Sequence, residues 1–282
     1  MVDFFFVLSG FVMTLAYTNR LADRGDFAKF AKKRFLRLYP LHILVLLAFV
    51  ALESFKLFAV KNLGYAPVVG PFSADRSLEA LAANAVLLHN LVLPYVSWNH
   101  PSWSISAEFF VYLVFAMVYL AFRGSARARS GAFLLLLILA WVVIQFEGMS
   151  GQWNISGPSR CIYSFILGHF TFMLLQKDSR RSLRFLGGLM LFVSMLAVTI
   201  EDLLPMWSVS FIPVLFASTI YCIARSPGDS PFIRVLEMKP LVFLGTISYG
   251  IYMWHTLVIL VINIFVRRFL SYPLLERADG RL

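Results

Sequence analysis

A carboxylate inside an apolar run is where this sequence first offers chemistry. Glu108 stands in "HPSWSISAEFFVYLVF", four residues after Ser104, so the two share one face of a helix. An ionisable side chain at membrane depth is costly to hold and marks a functional site by default. The competing reading is a structural carboxylate neutralised by an arginine. Arg34 and Arg37 lie one helical turn apart in "KKRFLRLYP". A topology anchor would need only lysines there, whereas guanidinium forks suit phosphate or carboxylate groups. Ser248, Tyr252 and His255 recur at i, i+4 and i+7 in "ISYGIYMWHTLVI", a polar stripe on an apolar helix of the kind that lines a cavity. His169 in "FILGHFTF" and His42 are weaker cases of the same kind. His89 and His100 are expected in a solvated loop.

The elements that would position these residues are membrane helices. Of 282 residues, 60% are hydrophobic and 14% charged, against about 25% charged in an ordinary soluble domain. Judged against the ~20 apolar residues that cross a bilayer, about eight spans are expected: 3–18, 40–60, 104–122, 131–147, 158–176, 185–200, 207–224 and 241–266. The fold class is all-α, a polytopic integral membrane helical bundle forming a single domain over 1–282, because an open sheet edge cannot be satisfied in lipid.

Charge sets the orientation. The first, third, fifth and seventh connections hold seven, three, four and three basic residues, 17 of the 25 in the chain. By the positive-inside rule those connections are cytoplasmic. The net charge of +10 is then a topology signal and an attraction to anionic lipid, not a nucleic-acid footprint. The stretch 78–97, "LEALAANAVLLHNLVLPYVS", is apolar enough to span, but counting it would invert every later loop. It is expected to be an interfacial or re-entrant helix on the far side.

No metal-ligand spacing such as HExxH or CxxC occurs, nor any phosphate-cradling glycine loop, so no metal and no bound cofactor are expected. Cys161 and Cys222 lie in apolar runs and read as small buried hydrophobes. A solute transporter is the alternative class, but the inverted repeats and charge-lined pathway of one are not visible.

Four separated segments carry a resemblance. "VDFFFVLSGFVMT", "KKRFLRLYPLH", "PSWSISAEFFVY" and "LGTISYGIYMWHTLVI" are similar, in order and spacing, to motifs of the membrane acyltransferase-3 family of bacterial polysaccharide and Nod-factor O-acetyltransferases. The resemblance implies transfer of an acyl group, most often acetyl, from cytoplasmic acyl-CoA to a hydroxyl of an extracytoplasmic glycan. It places such a protein in the bacterial inner membrane. It implies that Arg34 and Arg37 bind the acetyl-CoA donor, and that Glu108, Ser9 and the candidate base His255 act in catalysis. Asp3, Trp103, Ser104, Ser248 and Tyr252 are then expected to contact substrate. Family members carry a helix with a needed histidine before the first motif and another helix after the last. The chain is therefore expected to be incomplete at both ends and, on that ground, inactive as an alternative.

Overall fold

In a computed structural model of the chain, residues 2–18, 20–64, 69–147, 153–177 and 186–270 are described. The helices are α1 (Val2–Tyr17), α2 (Arg24–Leu63), α3 (Leu78–Ala85), α4 (His89–Val92), α5 (Trp103–Ala121) and α6 (Ala126–Glu147), followed by α7 (Trp153–Lys177), α8 (Leu186–Thr199), α9 (Met206–Val209), α10 (Ile212–Ala224), α11 (Pro231–Leu236) and α12 (Lys239–Leu270). No strand occurs among the described residues. Seven of the eight expected spans each match one helix, α1, α2, α5, α6, α7, α8 and α12 in turn, while 207–224 is divided between α9 and α10. Five stretches, built on α2, α5, α6, α10 and α12, are long and apolar enough to cross a bilayer, while α1 and α8 are apolar but shorter. Three of the four basic residues of the fifth connection, Arg180, Arg181 and Arg184, and the C-terminal segment from Ser271 lie outside the described residues.

The basic segment and the second span form one 40-residue helix that runs through Pro40. The Asp23 carboxylate caps its start, accepting from the Asp26 N–H at 2.8 Å. Its end is closed by Gly64, whose φ of 66° is the left-handed cap that glycine adopts without penalty. A helix of that length measures ~60 Å, twice the ~30 Å hydrocarbon thickness. The lysine- and arginine-rich first turns therefore project beyond the bilayer on the side of the basic loops.

At the centre, α7 packs against α1, α4, α5, α6 and α10. Its tightest contact is with α1, and it explains the Ser9-Gly10 pair in the middle of an apolar helix. A Cβ at Gly10 would overlap the carbonyl oxygen of Phe165, and one at Gly168 would overlap that of Val7. Two backbones thus touch through reciprocal glycines, a contact that gives membrane helices attraction where lipid offers no hydrophobic drive. Gly168→Leu is expected to separate α1 from α7 and sharply lower the yield of folded protein in detergent. An unchanged monodisperse peak in size-exclusion chromatography would refute the contact.

The stretch 78–97 does not form one helix. It breaks into α3 and α4 around Leu87, which takes a φ of 59°; Phe72 and Trp98 in the same connection are also left-handed, at 53° each. Buried Glu53 of α2 pins the connection: it accepts from the Phe72 N–H at 3.1 Å and from Arg76 at 2.7 Å, and it pairs with Lys56 at 2.9 Å. The break also turns His89 inward, correcting the expectation of a solvated histidine. His89 is 3% exposed, stacks on His42 with ring centroids 5.6 Å apart, and holds Ser102 at 3.2 Å. Burial and the neighbouring His42 push its imidazole down to about 3, so it is neutral in the fold. His100 is exposed, as expected.

Candidate active site

Helix α1 brings Ser9 against α5, where a compact cluster forms. The Ser9 hydroxyl donates to Glu108 Oε1 at 2.8 Å, and the Tyr112 hydroxyl donates to the same oxygen at 2.5 Å. Ser9 Oγ and the Tyr112 hydroxyl are themselves 2.6 Å apart. The other carboxylate oxygen, Oε2, has no hydrogen-bond partner among the described residues. Tyr112 stands four residues after Glu108, so one helix face supplies both groups.

The cluster borders a cleft of about 420 Å³ between α1, α2, α5 and α12. Its polar lining includes Ser9, Arg37, Ser104, Glu108, Ser248 and Tyr252. Its walls are mainly apolar residues of α1, Phe5, Phe6, Leu8, Val12 and Met13 among them, with Ile105 of α5. At the end remote from the basic loops, the Tyr252 hydroxyl donates to the Pro101 carbonyl at 3.0 Å and lies 2.9 Å from Ser104 Oγ. Tyr249 ties α12 to α2 by donating to the Leu38 carbonyl at 2.9 Å. The cleft thus has an acidic group in its interior, a guanidinium toward the basic loops and hydroxyls at its far end.

Arg34 sits behind the cluster. Its guanidinium lies over the rings of Tyr17, Phe30 and Tyr112, at 5.4, 5.7 and 5.8 Å from their centroids, and donates to the Tyr17 hydroxyl at 3.1 Å. Its Nε and Nη1 are buried without a hydrogen-bond partner. A cation with two unsatisfied donors is a place where an anionic group would be held strongly.

The profile of the acyltransferase-3 family, described as an acyltransferase domain, matches residues 1–276. The chain belongs to that family. The acyltransferase is 26% identical over 279 residues to the acyltransferase MdmB of Streptomyces mycarofaciens. It is 28% identical over 298 residues to a Bacillus subtilis protein named peptidoglycan O-acetyltransferase YrhL. Each alignment covers 92% of this chain, but 67% of the first protein and 44% of the second. A third relative, protein 2 in the picA locus of Rhizobium radiobacter, is 33% identical over 159 residues, 51% of this chain and 74% of that one. No solved structure matches.

Within this acyltransferase the structure gathers six of the residues singled out from sequence, Ser9, Arg37, Ser104, Glu108, Ser248 and Tyr252, on one cleft. Four fall elsewhere. His255 is exposed one turn beyond Tyr252, outside the cleft lining, with Nδ1 2.6 Å from the Tyr252 carbonyl and Nε2 3.3 Å from Thr256. Ser248, Tyr252 and His255 all lie on α12, but Tyr252 closes the cleft before it reaches His255. Asp3 is 4% exposed and forms an ion pair with Arg160 of α7 at 2.7 Å, with Trp103 against the guanidinium at 5.6 Å. Arg34 is caged rather than cleft-lining. Asp3 and Glu53 are thus arginine-paired carboxylates, whereas among the described residues Glu108 has no cationic partner within ion-pair distance. Sequence reasoning missed Tyr112 and Arg160. His169 is buried among Phe115, Tyr119 and Phe133, with Nδ1 2.9 Å from Thr14, a packed position away from the cleft.

Proposed function

We propose that this protein transfers an acyl group, acetyl in the simplest case, from cytoplasmic acyl-CoA to a hydroxyl of an extracytoplasmic carbohydrate at the bacterial inner membrane. The observation that carries the reading is a carboxylate with one free oxygen, set in an apolar cleft that has arginine toward the basic loops and hydroxyls at its other end. The name of the Bacillus relative as a peptidoglycan O-acetyltransferase supports a carbohydrate acceptor.

Each group has a role in this scheme. Arg37 on the cleft holds the anionic part of the donor, and the charge of Arg34 behind the cluster adds to that attraction. Ser104, Ser248 and Tyr252 orient the acceptor, with Trp103 behind them. Glu108 Oε2 takes the proton of the acceptor hydroxyl as its oxygen bonds to the thioester carbonyl carbon. The carbonyl becomes an oxyanion, and the available donors are the Arg37 guanidinium and Ser9. Ser9 is released for this task because a protonated Glu108 has less need of its bond. The tetrahedral intermediate then expels the CoA thiolate, which takes the proton from Glu108. Glu108 rather than His255 is assigned the base, since His255 stands off the cleft.

The test uses membrane vesicles carrying the protein, radiolabelled acetyl-CoA on the cytoplasmic face and glycan on the other. Label on the glycan, dependent on the protein, is expected. Movement of an unmodified solute with no label transferred would replace the enzyme reading by a transporter.

A further inference from the structure

We propose that Tyr112 is the positioning residue of this site, holding Glu108 with its hydroxyl and walling the Arg34 cage with its ring. The inference rests on the acyl-transfer reading above. It starts from a count of protons. Ser9 and Tyr112 each own one hydroxyl hydrogen, and both oxygens lie within hydrogen-bond distance of Glu108 Oε1. The two hydroxyl oxygens are also 2.6 Å apart, close enough for either to donate to the other, so two hydrogens serve three short contacts in one closed cluster. With Oε1 held in that cluster, the carboxylate has little freedom to exchange its oxygens, and Oε2 is the one left for substrate.

Tyr112 suits this task because it does not move. It is 1% exposed, and its ring meets Phe30 and Phe165 edge-on at 6.1 and 5.9 Å. The ring also lies 5.8 Å from the Arg34 guanidinium. One rigid side chain thus borders both the caged cation behind the donor site and the carboxylate that would accept the proton. Tyr112 is absent from the cleft lining, so it acts through Glu108 and not on substrate. An ordinary core tyrosine would need one partner for its hydroxyl; this one spends it on the one carboxylate that lines the cleft.

Two variants separate the halves of the proposal. Tyr112→Phe keeps the ring and removes the hydroxyl. It should lower kcat about 10- to 100-fold, with the KM for acetyl-CoA changed by less than about 2-fold. Tyr112→Leu removes the cage wall as well and should also raise that KM. Wild-type kcat in Tyr112→Phe, or a loss confined to KM, would overturn the assignment. A second readout does not depend on transfer. Without the Tyr112 hydroxyl, Glu108 keeps one neighbouring donor in place of two and is freer to turn toward a reagent in the cleft, and hydrophobic carbodiimides modify carboxyls in apolar surroundings. Peptide mass spectrometry of the purified protein should find Glu108 modified several-fold faster in Tyr112→Phe than in wild type. Equal rates would refute the link between the two residues. If wild-type vesicles transfer no label, the acyl-transfer reading fails by itself, and the modification rates still decide whether Tyr112 governs Glu108.

Discussion

Glu108→Gln is expected to lower acyl transfer about 10²- to 10⁴-fold, the range associated with loss of a positioned general base. The substitution is nearly isosteric. The amide oxygen can still accept from Ser9 and Tyr112 in place of Oε1, so α1 and α5 retain their contact. What is lost is the capacity of the second position to take a proton, because an amide nitrogen has no lone pair to offer. The expected pattern is therefore a collapse of kcat with little change in the KM for acetyl-CoA and normal amounts of protein in the membrane fraction. Glu108→Asp draws the carboxylate back by one methylene, away from Ser9, and should fall between wild type and Glu108→Gln. Initial rates in vesicles, normalised to protein by immunoblot, measure both. Wild-type rates from Glu108→Gln would remove this carboxylate from the mechanism.

The helices were legible because lipid imposes one requirement, that every backbone group be satisfied within its own helix, and a run of apolar residues meets it visibly. The cleft was legible in part for a related reason. Polar residues on an apolar helix are costly, so Glu108, Ser104, Ser248 and Tyr252 stood out, and the structure places them together. Tyr112 did not stand out, since a tyrosine in "FFVYLVF" looks like one aromatic among many; its i+4 spacing from Glu108 was the available signal. His89 was misread because hydropathy does not reveal that residues 86–88 turn, and the turn is what carries the histidine under α5. That packing is held by Ser106, whose hydroxyl donates to the Leu87 carbonyl at 2.6 Å. The role of Arg160 was hidden by distance. Counting basic residues by connection ignores an arginine inside a helix, and nothing local links it to a partner 157 residues earlier.

That partnership supports the other large expected effect. Asp3 and Arg160 are joined by two contacts, at 2.7 and 3.3 Å, with the Ser164 hydroxyl 3.5 Å from the same carboxylate. Their side chains are 6% and 12% exposed. In such surroundings breaking the pair costs far more than the pair itself contributes, because the remaining charge keeps its desolvation penalty and loses its compensation. Arg160→Met should therefore destabilise the protein by about 3–5 kcal/mol, even though methionine fills much of the arginine's volume. The double variant Asp3→Asn/Arg160→Met removes both charges and should recover a large part of that loss. Thermal unfolding in detergent, followed for wild type, both singles and the double, completes the cycle. A double variant as unstable as Arg160→Met would show that the arginine acts through packing against Trp103 rather than through Asp3. Recovery would identify the pair as the clasp between α1 and α7 at the end remote from the basic loops. Gly10 and Gly168 bring the same two helices into backbone contact about two turns further along. Ser9 stands next to that contact, so the clasp and the glycines together fix the distance at which its hydroxyl meets Glu108. Transfer activity of the folded double variant should accordingly exceed that of folded Arg160→Met.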